Sequence, residues 1–214
     1  MSAPSTEKSS GVIINGLCTR CCSCVGLSGG AWRFADSEGL CLPEQLRAPD
    51  AECSERMARA CAGAEADFTA LNAAAFGPTA ERHEYLGHFE SISVGHATDA
   101  ATRRAGASGG VLTAILLWLL ERGEIDGAVV TGMDAVRPWL PRTFIARTPQ
   151  EIRAAAQSKY VISSVNEILP EIEVFPGRLA YVGLPCQVHS IRRMQAAGEA
   201  AVKNIRYVFG PFCG

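Results

Sequence analysis

The spacing of apolar and polar positions divides the chain into segments of different character. Residues 1–10, "MSAPSTEKSS", have no apolar periodicity and read as a disordered tail. Residues 11–63 are rich in glycine and cysteine and only weakly periodic. Within them "WRFADSEGLCLPE" predicts a small hairpin, with Asp36 to Gly39 supplying turn chemistry. "AECSERMARACAG" predicts a short helix stopping near Gly63, followed by a polar, alanine-rich connector to about Arg82. "FESISVGHAT" alternates as a half-buried strand does.

Farther on, "GGVLTAILLWLLERG" predicts a helix of about four turns ending near Gly123, leading through a short turn to the strand "GAVVTG". "TPQEIRAAAQSKYV" opens a further helix, with Thr148 as N-cap, Pro149 at the first helical position and Glu151 in the first turn. "RLAYVGLPCQVHSIRRM" reads as buried strand, tight turn and helix, and "IRYVFGPFCG" as another strand and loop. The fold class expected is mixed α/β, divided as a cysteine-rich segment at 11–75, an α/β region at 76–165 and the start of a further domain at 166–214. A strand running into "GPFCG" is a poor end for a domain, so the expectation is a chain truncated relative to its relatives.

Composition adjusts this picture little. Among 214 residues, 48% are hydrophobic and 20% charged, enough apolar material for an ample core. The net charge of −2 and the lack of a basic stripe give no argument for nucleic acid. The longest apolar run, residues 111–120, falls well short of the roughly 20 needed to span a bilayer. The polar N-terminus has no apolar signal core, which points to a cytoplasmic protein.

The nine cysteines carry the candidate chemistry, because seven of them fall between Cys18 and Cys61. In a cytoplasmic chain such clustering favours metal ligands over disulfides. Cys18, Cys21 and Cys24 stand three residues apart, a spacing that wraps three corners of a cubane iron–sulfur cluster. The place usually held by a fourth cysteine is Ser28, a rare ligand. Cys61, at the end of a short helix, is the first candidate for the fourth corner, with Cys53 and Cys41 behind it; Cys22, next to Cys21, would point away. Structural zinc competes, although zinc sites usually show two separated C-x-x-C pairs. Cys186 and Cys213 each follow a strand at a turn, where ligand sites of α/β sheets lie, and could together hold part of a second centre.

"GASGG", residues 106–110, precedes the apolar helix. Its backbone N–H groups could receive a phosphate, or Ser108 could be a plain N-cap. Lys159 could bind an anionic cofactor or serve the end of its helix. His83, His88, His96 and His189 have no metal spacing; His189, three residues after Cys186, is the one of interest, and it and Tyr160 are the acid–base candidates.

Together "LCTRCCSC", "VGHATD…RRAGASGGVLTAILLWLLERGEIDGAVV", "ARTPQEIRAAAQSKYV", "AYVGLPCQ" and "FGPFCG" resemble, in the same order, the coenzyme F420 hydrogenase/dehydrogenase beta-subunit family of iron–sulfur flavoproteins. The resemblance implies a 4Fe–4S cluster on Cys18, Cys21 and Cys24. "CAG" at Cys61 stands where many relatives have "CPG", which supports Cys61 as the fourth ligand. It also implies FAD against Ser108, Gly109 and Gly110, with Lys159 and Tyr160 lining the flavin site in 76–165. Cys186 and Cys213 resemble positions that help hold a second cluster in some relatives, whose chains continue well beyond "FCG". The expected activity is oxidoreduction: FAD, which exchanges electrons singly or in pairs, between a one-electron cluster and a two-electron partner such as the deazaflavin F420. The implied partners are a ferredoxin or hydrogenase/dehydrogenase subunits, with a homo-oligomer left open. The rival readings are a zinc-stabilised module without redox chemistry and an inactive, truncated remnant of the family.

Overall fold

The computed structural model of the chain describes residues 11–36, 39–77 and 81–213. The expected tail at 1–10 and the middle of the predicted hairpin turn lie outside them. The elements, numbered in chain order, are α1 (Ser23–Leu27), β1 (Trp32–Ala35), β2 (Leu42–Gln45), α2 (Ala51–Ala60), α3 (Phe68–Phe76), β3 (Arg82–His83), β4 (Gly87–His88), α4 (Ala100–Ala105) and α5 (Val111–Glu121). There follow β5 (Gly127–Met133), β6 (Pro141–Ala146), α6 (Pro149–Ala154), a 3₁₀ turn (Val165–Ile168), α7 (Leu169–Val174), β7 (Leu179–Val182), α8 (Pro185–Ala196) and β8 (Ile205–Phe209).

The organising unit is a four-stranded mixed sheet in the order β6-β5-β7-β8. β5, β7 and β8 run parallel, and β6 folds back antiparallel on β5 with Val130 opposite Phe144. Alternate residues of each strand face opposite sides. Val129, Leu179 and Tyr181 look into one core, and Ala128, Val130 and Ala180 into the other. The second core is closed by α5 and α6 through Leu116, Leu119 and Ile152. The first is closed by α7 and α8 through Leu169, Ile172, Ile191 and Met194, and by the cysteine-rich segment through Leu27, Trp32, Met57 and Ala60. That segment therefore does not depend on a metal alone for its interior: it docks its apolar side chains on the sheet layer.

Several sequence expectations are met. The hairpin forms as β1 paired with β2. The α6 start carries the full capping box, Thr148 Oγ accepting from Glu151 N and the Glu151 carboxylate accepting from Thr148 N. β7, α8 and β8 form the expected strand–helix–strand run. Others are corrected. Residues 89–98 form no strand; Ile92 and Val94 stand exposed, and only Ala97 is buried, its N–H donating to Gly109 O. Alternation alone makes no strand where no sheet edge receives it. The "connector" contains α3, capped by Asp67 accepting from Ala70 N, because alanines sustain a helix with no buried side chain. β6 escaped sequence reading because the proline that opens it, Pro141, disguises an edge strand. Helix α5 has 11 residues, about three turns, and its N-cap is Gly110, at φ 69, rather than Ser108. β5 and β6, before the expected division at residue 165/166, and β7 and β8, after it, belong to the same four-stranded sheet.

Candidate metal centre and cofactor loop

The C-x-x-C-x-x-C loop is wound by two residues with left-handed backbone, Arg20 at φ 59 and Cys22 at φ 62. Each such residue costs of order 1 kcal/mol, and it persists only where its surroundings over-determine it. Cys22 is buried, its thiol turned back to Arg20 O at 3.4 Å, consistent with a bystander. On the far side of the loop, Gly63 presses the turn after α2 against Leu17: a Cβ there would stand 2.4 Å from Leu17 O and 2.7 Å from Val12 Cγ1. This close approach holds the turn after α2, whose C-cap is Cys61, against the residue that precedes Cys18.

Burial and neighbouring thiols raise several of these cysteines, Cys22 among them. Burial pushes the Cys24 thiol up, and the charges of Cys21, Cys18 and Cys61 push it further. Cys61 is raised by burial and by Cys21 and Cys18, against backbone N–H groups of Gly63 and Ala64 that lower it. Cys53 faces Asp50 and Arg56, and Cys41 faces Asp36 and Arg20. Among the described residues no three side chains of His, Cys, Asp or Glu converge closely enough to hold a single metal ion. A cubane sets its irons between the sulfurs, so its ligands stand wider apart than the thiolates of one zinc ion, bound at about 2.3 Å. In number and kind the four thiols fit a cluster.

Cys186 and Cys213 lie beyond the carboxyl ends of β7 and β8, which are tied by Gly183 N donating to Phe209 O. Cys186 is raised by burial, by Cys21 and, more weakly, by Cys213.

The second predicted site is the glycine turn before α5. Gly106, Gly109 and Gly110 allow backbones to cross closely: a Cβ on Gly110 would meet Thr102 O at 2.4 Å, and one on Gly106 would meet Gly110 Cα at 2.4 Å. Ser108 is exposed on this turn, and no side chain caps the first N–H groups of α5. An uncapped N-terminus behind a glycine turn suits a phosphate. Lys159 donates to three carbonyls, those of Ala155, Ala156 and Gln157, at 2.5, 2.7 and 2.8 Å, and burial pushes its pKa down. It thereby serves the end of α6, while Tyr160 beside it is 93% exposed. The His189 ring packs 5.1 Å from Phe68, and burial, then Arg193, lower its pKa.

Sequence reading missed a fully buried polar group behind the triplet, made of Ser23, Asn166, Tyr181, Gln187 and Ser190. One signal was available. Gln187, Ser190, Ile191 and Met194 occupy one helical face, so two polar residues share an apolar stripe.

Comparison with known proteins decides the family. Residues 92–170 match the family described as "Coenzyme F420 hydrogenase/dehydrogenase, beta subunit N-term", and residues 177–214 match the counterpart family for the carboxyl terminus of the same beta subunit. The two spans together take in more than half of the chain, in the family's order. This chain is a member of the coenzyme F420 hydrogenase/dehydrogenase beta-subunit family. The cysteine-rich segment precedes both matched spans. The coenzyme F420-dependent sulfite reductase of Methanocaldococcus jannaschii is 34% identical over 122 residues, 50% of this chain and 19% of the relative. The coenzyme F420 hydrogenase subunit beta of Methanothermobacter thermautotrophicus is 34% identical over 133 residues, 60% of this chain and 47% of the relative. Among solved structures, a chain of the F420-reducing NiFe hydrogenase complex of Methanosarcina barkeri superposes with a TM-score of 0.51 at 28% identity, over 55% of this chain and 42% of the other. This beta-subunit family member thus spans less than half the length of these relatives. Among the described residues no helix is long and apolar enough to cross a membrane.

Proposed function

We propose that this chain is an electron-transferring unit of an F420-type oxidoreductase, with a 4Fe–4S cluster on Cys18, Cys21, Cys24 and Cys61 and FAD at the glycine turn. The reading rests on one observation: the close approach at Gly63 holds the turn that contains Cys61 against Leu17, the residue just before the C-x-x-C-x-x-C loop. Bound FAD would exchange single electrons with the cluster and electron pairs with reduced deazaflavin F420 or another two-electron partner. For that chemistry the chain's residues have separate tasks. The uncapped N–H groups of α5, with Ser108, Gly109 and Gly110, receive the phosphates. Lys159 fixes the loop after α6, and Tyr160, held outward, lines the ring. Cys186 and Cys213 supply two thiols of a second centre beside the first. Partner subunits of the hydrogenase or dehydrogenase kind, or a ferredoxin, would meet the chain near these thiols.

The test is anaerobic purification with iron, acid-labile sulfide and flavin quantified per chain. The expected result is at least about four irons and one flavin, with a brown colour absorbing near ~400 nm. Colourless protein containing zinc, or no metal and no flavin, would sink the reading.

A further inference from the structure

The buried polar residues behind the triplet form a chain of hydrogen bonds whose direction is fixed at every step. Ser190 Oγ donates its only proton to Ala60 O at 2.6 Å. Between Ser190 and Ser23, whose oxygens are 2.5 Å apart, the donor must therefore be Ser23. Ser23 in turn accepts from Asn166 Nδ2 at 2.8 Å, and the Asn166 carbonyl oxygen accepts from the Tyr181 hydroxyl. Ser23, Asn166, Tyr181 and Ser190 are all fully buried. Ser23 lies between Cys21 and Cys24, and Ala60 immediately precedes Cys61. The relay thus joins the two parts of the thiol set that sequence separates by 36 residues between Cys24 and Cys61.

A second contact from the same helix reinforces it. Arg193, three residues after Ser190 on α8, donates from Nε to Arg59 O at 2.7 Å and from Nη1 to Glu65 O at 2.8 Å. Carbonyls in the last turn of a helix have no intrahelical donor, and a cation there also suits the helix dipole. Ser190 and Arg193 therefore satisfy the carbonyls on both sides of Cys61 and fix where α2 ends and where its C-cap points.

We propose that Ser190, with Ser23 and Arg193, is a positioning device for the metal centre: helix α8 is the template that holds Cys61 in register with Cys18, Cys21 and Cys24. The inference rests on the cluster reading above. Partners behind metal ligands typically change metal affinity 10- to 100-fold when removed. Ser190→Ala leaves Ala60 O and the Ser23 hydroxyl without their partner, so the ligand set loosens although every cysteine remains.

The test uses the full chain, purified anaerobically, with iron content, the rate of iron release to excess EDTA, and the electron paramagnetic resonance spectrum of the dithionite-reduced protein as readouts. Ser190→Ala and Arg193→Gln are each expected to release iron about tenfold faster than the unaltered protein. Ser23→Ala is expected to change the line shape as well, because Ser23 Oγ stands 3.8 Å from Cys21 Sγ. Thr148→Ala, which removes a cap at α6 far along the chain, is the control for global destabilisation and should leave the release rate unchanged. If Ser190→Ala does not fold, Arg193→Gln and Ser23→Ala decide. Release rates and spectra equal to the unaltered protein's, or a Thr148→Ala effect as large as theirs, overturn the positioning role while leaving the cluster intact. Absence of iron from the unaltered protein overturns both readings.

Discussion

At Gly63 the backbone of the turn after α2 lies so close to Leu17 that a methyl group has no space, and the obstructing atom is a carbonyl oxygen rather than a pliable side chain. Gly63→Ala must therefore move the Cys61 turn away from the Cys18 loop. The expected outcome is an iron content well below that of the unaltered protein, read by colorimetric iron assay, with the helical circular dichroism retained. Cys61→Ser should lower the iron content similarly, because it removes the proposed fourth ligand, whereas Cys53→Ser should leave it unchanged. Equal losses from both substitutions would refute the proposed ligand set. The C-x-x-C-x-x-C spacing could be read directly because three ligands share one loop. Ser23 and Ser190 could not be paired in that way: 167 positions part them, and only the packing of α8 under the loop brings their hydroxyls together.

At the scale of elements, α2 is anchored at its C-terminal end by a nearly buried carboxylate. Glu199 accepts from Arg56 Nε at 3.0 Å and from Arg59 Nη2 at 2.8 Å. Burial alone would raise its pKa, but the two guanidinium groups prevail and hold it below the ordinary value of 4.5. A depressed carboxylate pKa contributes stability that is present above the unfolded value and lost as pH falls through the folded one. Glu199→Gln should therefore cost on the order of 2 kcal/mol at pH 7, and the gap between the two proteins should close as pH drops below about 4.5, measured by urea unfolding at several pH values. A gap that stays constant with pH would exclude the ionised pair as its source. Thr148→Ala, by deleting one half of a capping box, should cost about 1 kcal/mol in the same assay. That cap was legible because Thr, Pro and Glu state it locally. α3 and β6 were not, since one has no apolar face and the other opens on proline, and the alternation in 89–98 misled because a strand needs a neighbour that sequence pattern does not show.

Across the whole molecule, the cysteine-rich segment and the sheet share one interior. Leu27, Trp32 and Met57 bury against the same core as Leu179 and Tyr181 of β7, so neither side keeps its packing if the other opens. Metal binding adds to folding free energy when the site exists only in the folded state. A ligand present at 1,000 times its dissociation constant contributes about 4 kcal/mol. In a chain of this length 1 kcal/mol moves the melting temperature by roughly 2–4 °C. Removing iron anaerobically with a chelator is therefore expected to lower the melting temperature by roughly ten degrees, in a single transition that carries the whole described chain. Hydrogen exchange supplies the sharper check. If the two parts form one cooperative unit, amides of β7 lose protection together with those of α1 when iron leaves, although β7 contributes no ligand. Protection that persists in β7 while residues 11–63 exchange freely would show two separable units, and the shared core would then be a docking surface rather than a common interior.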